Sequence, residues 1–201
     1  MIKQISALLL ATALCLSISH PTHAQGNSEA TNLARQGSAA AKASNWNQAV
    51  DLFRKAAEMD RKWAANLVAA LQQRGATSMS QQNFQAAAAD FTEALKLNPR
   101  DAGIHERRAY VEIKLHDLDS ALADYSEAVK INPREIRYYL PRSYIYETKG
   151  DLKNSMADTE HVLKLDKNNA EARSRKERLE KIQAMNANAP GPTPIPAPVR
   201  K

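Results

Sequence analysis

Cysteine occurs once, at position 15, in a chain of 201 residues. That excludes a disulfide scaffold. Glycine is also scarce, with 6 residues, and no (Gly-X-Y) period runs through the chain, so a collagen-like fibre is excluded. Aromatic residues make up only 5% and β-branched residues are sparse, while alanine is abundant. This balance favours an all-helical protein. Long apolar runs are missing after the first 18 residues, which excludes a multi-span membrane protein. Charge of one sign does not dominate either. The net charge of +6 is spread too thinly to be a nucleic-acid footprint.

The one apolar run lies at the start. Met1-Ile2-Lys3 is a short basic opening, Ile5 to Ile18 carries no charge over 14 residues, and Thr22-His23-Ala24 has small residues at its two ends. This is the layout of a secretory signal, and it predicts cleavage after Ala24. A retained anchor is the rival reading. At ~1.5 Å per residue the run spans only about 21 Å of a hydrocarbon core of roughly 30 Å. Leu14 precedes Cys15, where lipidation requires a small residue, so no lipid anchor is expected. The cleaved chain has no cysteine, no membrane span and a net charge of +5. The expected location is periplasmic or secreted.

An internal repeat organises the rest of the chain. Ala87, Ala121 and Ser155 are separated by steps of 34 residues, and Ala49 precedes Ala87 by 38. Each opens a similar stretch: Ala-Val-Asp-Leu-Phe53, Ala-Ala-Ala-Asp-Phe91, Ala-Leu-Ala-Asp-Tyr125 and Ser-Met-Ala-Asp-Thr159. A small residue stands 12 positions upstream in each copy, at Gly37, Gly75, Ala109 and Ser143. An apolar residue stands three upstream, at Trp46, Phe84, Leu118 and Leu152. Paired helices approach closely only where one carries small side chains, and a large residue from the other fills the gap. Hydrophobic periodicity places helices near 28–43, 46–59, 62–80, 84–97, 101–115, 118–131, 134–149 and 152–165.

The small–alanine–aromatic–alanine–proline spacing over 30–169 resembles the tetratricopeptide repeat (TPR) family. The resemblance implies helix-turn-helix units stacked into a right-handed α-solenoid with a concave groove. The domain reading is a signal at 1–24, four repeats at about 30–63, 64–101, 102–135 and 136–169, a capping helix over 170–185, and a Pro-rich tail over 186–201. Asn98 and Asn132, before Pro99 and Pro133, are expected to cap the next helices. The four extra residues between the first two repeats predict a longer first helix rather than a loop. Thr159 and Lys167 predict looser packing of repeat four. Glu112 stands where an aromatic is usual, with Tyr110 as a partial substitute. Pro141 predicts a kinked helix. The helix after Asn169 is expected to cover the last apolar face with Ala172, Leu179 and Ile182, leaving its charges in solvent. Alternate prolines over 190–198 block regular structure, and no two are three apart, so a PxxP ligand is absent.

Catalytic motifs are missing. His105 and His116 fall 11 apart on one expected helix, about 16 Å along its axis, too far to share a metal. No metal-binding His-Glu-x-x-His, phosphate loop or nucleophile elbow is present. The carboxylates read as solvated surface. No cofactor and no metal site are expected. The family resemblance instead implies a peptide or protein partner in the groove, held by Gln72, Ala76 and Met79; by Glu106, Tyr110 and Ile113; and by Arg137, Leu140, Tyr144 and Glu147. Repeat one offers only Thr31, Ala34, Ser38 and Ala41 on its inner face, so the groove is expected to centre on repeats three and four. The carboxylate clamp of heat-shock adaptors in that family is not matched here. Ala34, Ser38, Ala76 and Gly103 occupy its positions, and only Arg107 fits. The function expected is an exported scaffold or adaptor without catalysis. An envelope enzyme or chaperone-like factor using the groove is the alternative, and a lipid- or nucleic-acid-binding protein is a third reading.

Overall fold

In the computed structural model, which describes residues 23–187, each copy of the repeat is a helical hairpin. The first is α1 (His23–Lys42) with α2 (Trp46–Met59), the second α3 (Ala64–Ser80) with α4 (Phe84–Leu97). The third pairs α5 (Ala102–Lys114) with α6 (Leu118–Ile131), and the fourth α7 (Tyr139–Thr148) with α8 (Leu152–Leu165). A last helix, α9 (Ala170–Ala187), lies against α8. Among the described residues there is no strand. Contacts run within each hairpin and between consecutive hairpins, which makes the molecule an α-solenoid. The apolar stretch of the expected signal and residues 188–201 of the expected Pro-rich tail lie outside the described residues, while α9 runs on through the tail's first two positions to Ala187. The expected cut after Ala24 falls in the first turn of α1.

The hairpin turns share one recipe. Ser44, Gln82, His116 and Gly150 take left-handed backbone, with φ of 57°, 59°, 61° and 79°. The next residue caps the second helix. Asn45, Asn83, Asp117 and Asp151 accept a hydrogen bond from the backbone N–H of Gln48, Ala86, Ser120 and Asn154. His116 thus stands beyond the end of α5, not on the same helix as His105.

Inside each hairpin the small column meets the aromatic column. A Cβ added to Gly75 would lie 2.9 Å from the Phe91 ring, and one on Gly37 3.2 Å from Phe53. Ala49, Ala87 and Ala121 are fully buried. Repeat four closes this space differently. Ser143, Ser155 and Thr159 are all 0% exposed, and Ser143 Oγ lies 2.9 Å from Thr159 Oγ1 and 3.0 Å from Ser155 Oγ. Three small hydroxyls satisfy one another there, where a ring would stand.

Other expectations are corrected at helix starts. Asn98 and Asn132 end α4 and α6 instead of capping the following helices. Asp101 instead caps α5 through the N–H groups of Gly103 and Ile104. Asp60 does cap the short 3₁₀ turn Arg61–Trp63 that leads into α3. α3 spans 17 residues against 13 for α5, so the insertion lengthened a helix by about one turn as expected. Pro141 does not kink α7. It is the third residue of that helix, where its missing N–H has no partner to lose, and its ring bars a regular α-turn at Arg137 four residues back. A 3₁₀ turn, Ile136–Tyr138, precedes it. On α9, Ala172 and Leu179 are fully buried and Ile182 half-buried, as the capping role requires. Arg175 is buried too, against the expectation that all the charges of this helix face water.

Candidate functional site

Side chains of neighbouring first helices meet, Gln72 of α3 with Arg107 of α5 and Glu106 of α5 with Arg137 just before α7, along the face that the family resemblance makes the inner one. On α3, α5 and α7 the positions separated by three and four residues share a side. Tyr110 and Tyr144 are the most open of the large apolar residues there, at 43% and 48%. Met79, Ile113 and Leu140 are half-buried beside them. Tyr110 therefore does not fill the space that an aromatic at position 112 would. It stands out from α5 with Lys114 Nζ 5.3 Å above its ring.

Two recesses break this face. Between α3 and α5, Ala76, Met79, Phe84, Tyr110 and Lys114 line a cleft of about 660 Å³. Between α1 and α3, Ser38, Ala41, Ala69 and Ala70 leave a recess of about 270 Å³, floored by Phe53 and Trp46. Of the small residues expected on the inner face of repeat one, Ser38 and Ala41 border this recess. A row of small side chains in front of two aromatics leaves an apolar hollow.

The polar groups of the face are largely engaged with one another. Glu106 Oε2 lies 3.5 Å from Arg137 Nε, and Arg107 donates to Gln72 Oε1 at 3.3 Å. Burial pushes the Glu106 carboxyl above its ordinary range, with Arg137 opposing. Glu147 is bound from the capping helix, since Arg178 donates to Oε2 at 2.8 Å and Arg175 Nη1 lies 4.0 Å away. The end of the groove at repeat four is thus closed by ion pairs.

Behind the face runs a column that sequence reasoning missed. Arg74 pairs with Asp90, Arg108 with Asp124 and Arg142 with Asp158, at shortest distances of 2.6, 2.6 and 2.7 Å. The three aspartates are only 4–6% exposed, so they are not solvated surface. Each pair bridges the two helices of one hairpin. His105 joins the second pair, with Nδ1 2.8 Å from Asp124 Oδ1 and Nε2 3.0 Å from the Pro99 carbonyl. The recurrence of Arg and Asp at 34-residue steps was the available signal. Among the described residues no group of three or more His, Cys, Asp or Glu is placed to hold a metal ion. No described helix is long and apolar enough to cross a membrane.

Tetratricopeptide repeat models match residues 77–136 and 136–169. Over residues 77–169 the chain is similar to tetratricopeptide repeats. The remaining hairpin and the start of α3 share the same small–aromatic pairing and the same turn. Solved structures agree on the TPR fold. A TPR protein from Parabacteroides merdae superposes with a TM-score of 0.60 at 21% identity, over 78% of this chain and 61% of that one. The Arabidopsis OM64 TPR domain is 27% identical, with a TM-score of 0.54 over 57% of this chain and 95% of that one. The second TPR domain of human RPAP3, solved with the HSP70 peptide SGPTIEEVD, is 19% identical, with a TM-score of 0.52 over 55% and 92% of the two chains. No curated protein matches the chain.

Proposed function

We propose that this chain is an exported TPR adaptor without catalytic activity, which holds an extended segment of a partner protein against the inner face of α1, α3, α5 and α7. The observation that carries the reading is the pair of open tyrosines, Tyr110 and Tyr144, 43% and 48% exposed at equivalent positions of successive repeats, with Tyr110 lining the cleft at Met79. Tyrosines on a rigid helical face are typical anchors of protein interfaces. The partner segment is apolar rather than acid-ended. Of the residues that would grip a terminal carboxylate only Arg107 is present, and it already bonds Gln72. Support for binding over chemistry comes from the titratable groups of the face. Glu106 and Glu147 are held by arginines. Export rests on the basic opening, the apolar run and Thr22-x-Ala24.

The test is capture of partners from an envelope extract by the mature protein and by a Tyr110→Ala/Tyr144→Ala variant. The variant is expected to lose captured proteins while its circular dichroism and melting stay close to wild type. Capture unchanged by the double substitution overturns the groove assignment. N-terminal sequencing of the exported protein is expected to read from Gln25, and a retained Met1 overturns cleavage.

A further inference from the structure

One column of the repeat varies more than its neighbours. Three residues after the small position stand Ser78, Glu112 and Tyr146. All three sit beside the Arg–Asp pair of their own hairpin. In repeat four the Arg142 guanidinium lies 5.8 Å from the centre of the Tyr146 ring. In repeat three the Glu112 carboxyl lies 3.6 Å from Arg108. In repeat two Ser78 is too short to fill the same place, and a cleft of about 510 Å³ opens there instead. Its walls are Arg74 and Asp90, the turn and start of α2 at Ser44 and Asn47, and the end of α3 at Ser78 and Gln81. At 100° per residue, Arg74, Ser78 and Gln81 lie on the opposite side of α3 from Ala76 and Met79, so this cleft is separate from the groove.

The later repeats show what chemistry the space accepts. A carboxylate fits it poorly. Glu112 Oε2 is buried without a hydrogen-bond partner, because the neighbouring arginine is already committed to Asp124. Asp90 commits Arg74 in the same way, through bonds of 2.6–3.1 Å. An aromatic ring suits the place, since it meets the flat guanidinium without adding charge. The rim favours a ring with a hydroxyl. The side-chain amides of Asn47 and Gln81 make no hydrogen bond among the described residues and stand at the cleft mouth. The volume lies within the ~300–1,000 Å³ common for ligand sites, more than one ring occupies, which leaves room for flanking peptide.

We propose that the cleft between repeats one and two is a second binding site, which takes a tyrosine side chain of a partner polypeptide and lays its ring over Arg74 as Tyr146 lies over Arg142. The test is a ¹⁵N NMR titration of the mature chain with the capped tripeptide acetyl-Gly-Tyr-Gly-amide, with acetyl-Gly-Gly-Gly-amide as control and p-cresol as the free phenol. Saturable shifts at the amides of Asn47, Ser78 and Asn83 are expected with the tyrosine peptide alone of the two peptides. Ser78→Tyr, which installs the occupant of repeat four, is expected to weaken that binding at least tenfold with no loss of melting temperature. Ser78→Glu, which installs the occupant of repeat three, is expected to weaken binding likewise, with a lower melting temperature above neutral pH because a carboxylate fits the place poorly. No saturable shift, or binding unchanged in a folded filled variant, overturns the site. Tighter binding of p-cresol than of the peptide overturns the polypeptide as its source.

Discussion

Replacing Glu112 by glutamine is expected to stabilise the protein above neutral pH and to do nothing in acid. Glu112 lies on α5 beside Arg108 and Asp124, with its side chain 13% exposed. Burial raises its carboxyl to about 7 from 4.5, and Asp124 and Asp117 push in the same direction. Arg108 opposes them, yet its guanidinium is spent on Asp124 through bonds of 2.6 and 2.8 Å, while Glu112 stands 3.6 Å off, beyond hydrogen-bond range. Burial therefore outweighs the ion pair. The folded chain holds this proton more tightly than the unfolded one. The stability it contributes is complete below pH 4.5 and is lost as pH rises through 7. The gap corresponds to about 3 kcal/mol. Glutamine keeps the shape and never ionises. Urea denaturation of both proteins at pH 4.5 and pH 8 measures the difference. The two are expected to agree within about 0.5 kcal/mol in acid, and the variant to be more stable by about 3 kcal/mol at pH 8. A variant less stable than wild type at pH 8 would show that the Arg108 pair outweighs burial. An equal difference at both pH values would show that ionisation of Glu112 plays no part.

Other substitutions probe the repeat frame. Gly75→Ala is expected to cost about 1–3 kcal/mol in chemical denaturation, because the new methyl lies 2.9 Å from the Phe91 ring. Gly150→Ala is expected to cost about 1–2 kcal/mol through its backbone alone, since φ is +79° and nothing stands within 4 Å of the added carbon. Asp124→Ala is expected to cost about 3–5 kcal/mol, because it strands Arg108 and takes the carboxylate from His105, and a melting temperature equal to wild type would exclude a structural role for the pair.

The frame was legible because its cause is local. Each pairing of a small residue with a ring 16 positions later closes within one hairpin, and a 34-residue step repeats it. Helix ends were less legible. Asn98 before Pro99 has the composition of a cap, but α5 starts only at Ala102, and Asp101 two residues past that proline takes the role. Asn45, Asn83, Asp117 and Asp151 are equally regular in spacing, but polar residues in a turn also read as mere loop, so the caps they form do not stand out. Pro141 reads as an interior residue because periodicity runs the helix from 134, whereas the proline itself decides where the α-helix begins.

The partners of the site residues were not legible. Periodicity keeps each set on one helical face and the family resemblance assigns Tyr110, Tyr144 and Glu147 to the inner side, without saying which of them another element covers. Glu147 is held by Arg178, 31 residues away on a helix whose docking depends on the apolar Ala172 and Leu179. Charge pairing across that distance depends on the packing and cannot precede it. The buried aspartates make the same point from the other side. Asp90, Asp124 and Asp158 look like surface acids beside a run of alanines, and they are tolerated inside only because an arginine 16 residues earlier reaches each of them with two nitrogens. Once that column is fixed, the residue next to it is free to vary. Tyr146, Glu112 and Ser78 therefore give three neighbouring hairpins of one frame a filled, a strained and an open space.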